Sequence, residues 1–282
     1  RQRMMGAARG HSLVPVHLQP EQSLQSAYVA LVRAFSAAGL DSPQADARYL
    51  MRGVLGLDDA ALLRAPETPI GAHAQTLADA ALRRLSHEPV SRILGVREFY
   101  GRTFEVTPDV LDPRPDTETL IDEVLAIVDR NGWRSKPLRI ADIGLGSGAI
   151  LVTLLAELPL AEGVGTDVSP PALACARRNA DRHGVAARFT TVETSVLEKV
   201  NGPFDIVVSN PPYIPRGEIA GLDQDVSRYD PMLALDGGPD GLEIYREIQR
   251  QVSHLVSVHY VVLEAGAGQA PAVAALFGNH RA

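Results

Sequence analysis

Leu138-Arg139-Ile140-Ala141-Asp142-Ile143 runs directly into Gly144-Leu145-Gly146-Ser147-Gly148, and an apolar stretch from Ala149 to Glu157 follows. The pattern reads as a strand, a glycine turn and a helix. Glycine has no Cβ, so such a turn lets the main chain approach a ligand closely. Alone the turn is a weak signal, since many strand-to-helix turns are glycine-rich for packing reasons. Its weight comes from its surroundings. Further strands are predicted at Gly163 to Asp167, Arg188 to Val192, Asp205 to Ser209 and Val258 to Glu264, with helical patterns between them. Short apolar strands alternating with helices predict an α/β fold with a doubly wound parallel sheet.

Upstream the periodicity is helical. Leu24, Tyr28, Leu31, Val32 and Phe35 share one face, with Gly39 as the stop, and Ser42-Pro43 reads as an N-cap followed by proline in the first turn. Thr68-Pro69 repeats that device before Leu77, Ala81, Leu82 and Leu85. These segments predict a small all-α bundle over 22–88, ended by Pro89. Alternation around Gly101, with Phe99, Phe104 and Val106 as the apolar members, predicts a β-hairpin connector within 89–112. Asp112-Pro113-Arg114-Pro115-Asp116-Thr117-Glu118 is too proline-rich for a helix, but one follows through Leu120, Ile121, Val124, Leu125 and Val128. The sheet domain is then 113–282. Residues 1–21 read as a disordered extension; Arg1 to Pro20 hold arginines and no acids, which also echoes a transit peptide.

With 282 residues and 45% hydrophobic content, the chain has ample material for two packed domains. Its 27 basic and 34 acidic residues give a net charge of -7, the wrong sign for coating the chain in nucleic acid phosphates. No direct nucleic acid binding is expected. A single cysteine, Cys175, excludes a disulfide framework and suits a reducing, cytoplasmic setting; on an apolar helix face it reads as core. No apolar run is long enough to span a membrane. His183, His254 and His259 lack ligand spacing, so no metal site is expected.

The glycine turn departs from the dinucleotide G-x-G-x-x-G form, and its G-x-G-x-G spacing resembles the S-adenosylmethionine loop of class I, Rossmann-like methyltransferases. Asp167 closes the second strand, where a carboxylate can accept both ribose hydroxyls of an adenosine, and Ser169 can cap the following helix in its place. Asn210-Pro211-Pro212-Tyr213 follows the fourth strand, predicted to lie beside the first at the topological switch point, so both motifs face one crevice. An amide or exocyclic amine nitrogen is a poor nucleophile because its lone pair is delocalised, and two acceptors are needed to aim it. The Asn210 side-chain oxygen and the Pro211 carbonyl supply them. The two prolines stiffen the turn and remove competing donors, and Tyr213 supplies an aromatic wall.

From about Leu24 onward the chain resembles the peptide chain release factor glutamine methyltransferases (the PrmC/HemK family). The resemblance is carried by the helical leader, Pro89 to Gly95 with Arg97 to Tyr100, Pro113 to Glu118, the glycine loop, Asn210 to Tyr213, and Tyr229-Asp230-Pro231 with Ala234 to Gly238 and Asp240 to Leu242. It implies methyl transfer from S-adenosylmethionine to the side-chain nitrogen of the glutamine in the Gly-Gly-Gln motif of class I release factors. The bundle would serve in docking the release factor. Gly144, Leu145, Gly146, Ser147, Gly148, Asp167, Thr194 and Asn210 would contact the cofactor. Asn210, Pro211, Pro212 and Tyr213 would hold the glutamine, with Asn210, Pro211 and Tyr213 the catalytic set.

Adenine amino groups are an alternative acceptor for such a tetrapeptide, and a catalytically silent release-factor scaffold is another reading. Three departures from the family stand out. Glu193-Thr194 lacks the usual aromatic residue, Asp112 replaces an apolar one, and two C-terminal strands are apparently missing after Val258 to Glu264, predicting an apolar sheet edge there.

Overall fold

A computed structural model describes residues 16–278. They divide into two compact units between Leu94 and Gly95.

In the first unit, α1 (Leu24–Ala37) is capped by Ser23 Oγ, which accepts from Ser26 N, and it buries Leu24, Ala27, Leu31 and Phe35 as one stripe. α2 (Pro43–Leu55) opens on Pro43 as expected, although the Ser42 side chain makes no capping bond, and Gly56 closes it in the left-handed conformation. α3 (Asp59–Arg64) was not anticipated; Asp58 caps it through Ala61 N at 2.6 Å. Thr68-Pro69 does not open a helix. Thr68 O accepts from Leu24 N and Ile70 N donates to Gln22 O, both at 2.8 Å, so this segment is committed to extended pairing beside the start of α1. α4 (Ala74–Leu85) begins later, after a short 3₁₀ turn. α5 (Val90–Leu94) follows Pro89, so the helical unit continues past that residue. Of the expected disordered extension, 1–15 lie outside the described residues; beyond them Leu18 is buried in the helical core.

The second unit opens with the hairpin of β1 (Val96–Phe99) and β2 (Arg102–Glu105), whose Phe99 and Phe104 are buried edge to face. α6 (Glu118–Arg130), β3 (Arg139–Ile143), α7 (Ala149–Glu157), β4 (Glu162–Asp167), α8 (Pro170–Arg182), β5 (Phe189–Glu193) and β6 (Phe204–Ser209) follow. Then come the short helices α9 (Gln224–Ser227) and α10 (Met232–Leu235), α11 (Glu243–Val252), β7 (Val258–Leu263) and α12 (Ala270–Leu276). The sheet is parallel in the order β5-β4-β3-β6-β7. α6, α7 and α8 bury one face over Ile140, Ile206 and Val208, while α11 packs Ile248 towards Ala141, Ile143 and Val207 on the other. Chain order reverses about β3, so the C-terminal ends of β3, β4 and β6 frame a crevice. Among the described residues β7 is an edge strand, with side chains half-buried.

Candidate functional site

Hydrogen bonds between strand ends fix the crevice. Gly144 N and Leu145 N both donate to Thr166 O at 2.9 Å, tying the glycine loop after β3 to the end of β4. Ser209 Oγ, fully buried, donates to Ile143 O at 2.7 Å, and Glu264 N donates to Ser209 O at 3.0 Å. The ends of β4, β3, β6 and β7 are thereby laced together beneath the loops that carry chemistry.

Gly144 and Gly146 adopt left-handed φ of 73° and 53°, and a Cβ at either would point into open space. They form the floor of a cavity of about 630 Å³, the scale of a small-molecule site. Leu145, Ser147, Asp167, Thr194, Asn210 and Pro212 also line it. Gly148 does not. At φ 79° a Cβ there would press the Ala176 Cβ at 3.0 Å, so this glycine serves close packing of α7 on α8. Ser169 Oγ caps α8 through Ala172 N at 3.3 Å, as anticipated. Asp167 is nonetheless engaged: Oδ2 accepts from Gly146 N and Oδ1 from Ser169 N, each at 2.9 Å. The carboxylate therefore clamps the loop. Two oxygens offer roughly four lone-pair sites, so capacity for a ligand's hydroxyls remains. Thr194 is buried, with Oγ1 lacking a hydrogen-bond partner.

Asp142 lies behind the loop at 1% exposure, and neither carboxyl oxygen has a hydrogen-bond partner. Burial pushes this carboxyl well above the usual range, and the nearby Asp167 charge adds to the shift. Cys175 is fully buried in α8, and burial raises its thiol to about 11, so it is an inert core residue.

The second motif sits across the crevice. Asn210 Nδ2 donates to Thr117 Oγ1 at 3.1 Å, which joins it to the turn Pro115–Thr117. Arg114 forms an ion pair with the buried Asp230, whose Oδ1 also accepts from Asp112 N at 3.4 Å. Asp112 itself is buried, with Arg97 Nη1 3.8 Å from Oδ2, which accounts for an acid where an apolar residue was expected. Behind Tyr213, Gly237 lies so close that a Cβ would meet its backbone at 2.8 Å, and Gln269 Nε2 donates to Tyr213 O at 3.0 Å. The proline-rich turn, the Tyr229-Asp230-Pro231 segment and the glycine pair after Asp236 all converge on the tetrapeptide.

Pro211 and Tyr213 line a second cavity of about 710 Å³, with Asp116, Glu218, Glu264 and Gln269. Leu111, Arg114, Asn210 and Ala234 line both cavities, so the two adjoin around Asn210. Three acids face the second one, while Arg114 is already paired. Glu264 sits above the usual carboxylate range chiefly through burial, with the Thr117 and Asn210 side chains pulling the other way. Tyr213 is raised by burial, then by the Glu264 charge. Thr117 and Asp230 lie in segments that carry the family resemblance but have no site role in the sequence reading, and Glu264 appears there only as the end of a predicted strand. For Glu264 the available signal is an acid closing an apolar strand at the carboxyl edge of a doubly wound sheet, where such folds bind ligands.

The first cavity fits S-adenosylmethionine. Its glycine floor would be filled by any side chain, Thr194 Oγ1 is a buried hydroxyl in need of a partner, and Asp167 holds spare acceptor capacity at the end of β4.

Two family models match the chain: the PrmC N-terminal domain over residues 26–95 and the methyltransferase small domain over 125–221. The chain is 46% identical over 251 residues to the release factor glutamine methyltransferase of Bradyrhizobium diazoefficiens, covering 88% of this chain and 84% of the relative. It is 40% identical over 262 residues to that of Agrobacterium fabrum, covering 92% and 91%. With the Rhodospirillum rubrum protein of the same name, identity is 46% over 241 residues, covering 85% and 73%.

Proposed function

The chain belongs to the release factor glutamine methyltransferase family, and from that premise we propose that it methylates the side-chain amide nitrogen of the glutamine in the Gly-Gly-Gln motif of class I peptide chain release factors, with S-adenosylmethionine as donor. One observation carries this reading: a glycine-floored cavity and an acid-lined cavity adjoin at Asn210. S-adenosylmethionine supplies an electrophilic methyl carbon when bound. The glycine loop, Asp167 and Thr194 hold it in the first cavity, and the glutamine enters the second.

Catalysis is then orientation. The Asn210 side-chain oxygen and the Pro211 carbonyl accept the two N–H bonds of the glutamine amide, which turns the nitrogen lone pair towards the shared wall of the cavities. These acceptors also stabilise the positive charge that develops on the nitrogen during transfer, and they are preorganised by the prolines. Tyr213 closes the side of the second cavity. The helical unit up to Leu94 serves in docking the release factor, and no direct nucleic acid contact is needed by a chain of net charge -7. Among the described residues no helix is long and apolar enough to cross a membrane. A cytoplasmic location is proposed because the substrate acts in translation.

The test is incubation of the full chain with methyl-labelled S-adenosylmethionine and a class I release factor, beside the variant with alanine in place of the motif glutamine and a duplex DNA carrying adenines. Label on the unmodified release factor alone is expected. Equal label on the alanine variant, or label on the DNA instead, would overturn the reading.

A further inference from the structure

We infer that Glu264 is a positioning residue for Asn210: with Thr117 it takes up the Asn210 amino group, so that the carboxamide oxygen is the end presented to the substrate amide. This rests on the glutamine methyltransferase reading.

A carboxamide has two ends of nearly equal size and opposite hydrogen-bonding character, and only the oxygen accepts an N–H. Something in the site must choose between them. Asn210 Nδ2 donates to Thr117 Oγ1 at 3.1 Å, which leaves the single Thr117 hydroxyl proton to be donated elsewhere. Glu264 lines the second cavity with Asn210, and its backbone N is hydrogen-bonded to the O of Ser209, the residue before Asn210; the Thr117 and Asn210 side chains both favour its charged form. An ionised carboxylate only accepts. With the Asn210 amino group given to the Thr117 oxygen, the Thr117 hydroxyl proton is left for a charged Glu264 to draw, and the polarity we infer runs one way through the three groups. A flipped Asn210 would turn its oxygen towards the carboxylate and lose the bond to Thr117. Glu264 is anchored for this task, since its backbone N donates to Ser209 O and its backbone O accepts from the Tyr245 hydroxyl at 2.8 Å. Its Oε2 is buried and has no hydrogen-bond partner, which leaves acceptor capacity inside the site.

The charge on Glu264 is what does the choosing, so the choice depends on pH. Burial raises its pKa above the ordinary value and Asp116 adds to the rise, while Thr117 and Asn210 oppose it. The other ionisable groups nearby are Tyr245 from α11, Tyr213 after β6, and Arg114 and Glu218 in the cavity wall, with Arg114 held by Asp230. Protonated Glu264 becomes a donor on one oxygen and no longer specifies the Asn210 orientation. Turnover should thus fall as pH drops through the raised Glu264 value.

The experiment compares E264Q, T117V and the unmodified full chain. In E264Q, kcat is expected to fall about 10- to 100-fold, the scale of a misplaced reacting group, with KM for the release factor changing less and the acid limb of the kcat profile gone. In T117V, which removes a group stabilising the charged carboxylate, the acid limb should move to higher pH. A purely structural role would not move it. The Asn210 side-chain amide signals in ¹⁵N-labelled protein, assigned by comparison with N210A, supply a readout independent of activity. They should titrate with Glu264 in the unmodified chain and stop doing so in E264Q. Full turnover by E264Q with its acid limb intact, or Asn210 signals that titrate identically in E264Q, would overturn the inference. Absence of methyl transfer by the unmodified chain would instead strike the functional reading, and the amide titration would still decide the role of Glu264.

Discussion

The two cavities that adjoin at Asn210 are built by different means. The first is shaped by main chain: left-handed glycines at 144 and 146, a loop tied to Thr166 O, and a carboxylate whose bonds go to backbone N–H groups. The second is shaped by side chains from distant parts of the sequence, with Asp116 before α6, Asn210 after β6 and Glu264 after β7. A main-chain cradle recognises a ligand common to many enzymes with little need for particular side chains. A side-chain network specifies one reacting group, and it fails when one member is lost. The two halves of the site should therefore break differently.

Asn210→Ala tests the division most severely. It removes the acceptor aimed at the reacting amide, so kcat should fall by roughly 100-fold or more, the scale for losing one preorganised polar group. Affinity for S-adenosylmethionine, measured by calorimetry, should change much less because the glycine floor is untouched. A loss of cofactor binding as large as the loss of turnover would dissolve the distinction between the cavities.

Asp167→Ala probes the other half. It removes both the clamp on Gly146 N and the ligand-facing acceptor, and cofactor binding should weaken by about 1–3 kcal/mol, the worth of hydrogen bonds to a charged group. Turnover at saturating cofactor should be nearly retained. The opposite split, with unchanged affinity and collapsed turnover, would place Asp167 among the groups that act on the reacting amide.

The same contrast governs what could be read from sequence. The glycine spacing, the Asn-Pro-Pro-Tyr turn and the strand order are local patterns, and each carries its own conformational reason. Asp167 stands at the end of its strand as the pattern predicts, but its clamp on Gly146 has no signal in the sequence, because it needs two segments brought together by the β3–β4 register. Gly148 looked like part of the ligand loop because spacing cannot distinguish a glycine facing a cavity from one facing Ala176. Thr68-Pro69 carried the signature of a helix start, but pairing with the entry to α1 took its backbone groups first. Glu264 carried no motif of its own, and Thr117, though inside the Pro113 to Glu118 element, carried no role that spacing could assign. Their meaning appears only where three strand and turn ends meet.

The smallest expected effect concerns Asp142, which belongs to the main-chain half without lining its cavity. Neither of its oxygens has a hydrogen-bond partner, and burial holds its pKa well above the usual range. The folded chain thus retains a proton that the unfolded chain releases near pH 4. Above that pH this site holds more proton folded than unfolded, so its own contribution to stability drops as pH rises, until Asp142 ionises in the folded state. Asp142→Asn keeps the shape and removes the titration. The melting temperature of the variant should equal or exceed that of the unmodified chain at neutral pH, by about 2–4 °C for each kcal/mol relieved, and the gap should close as pH falls towards 4. Cofactor affinity should hold, because Asp142 is covered by the loop that makes the contact. A gap independent of pH would mean that Asp142 is not carrying a raised pKa, and lost cofactor binding would move it from beneath the cradle into it.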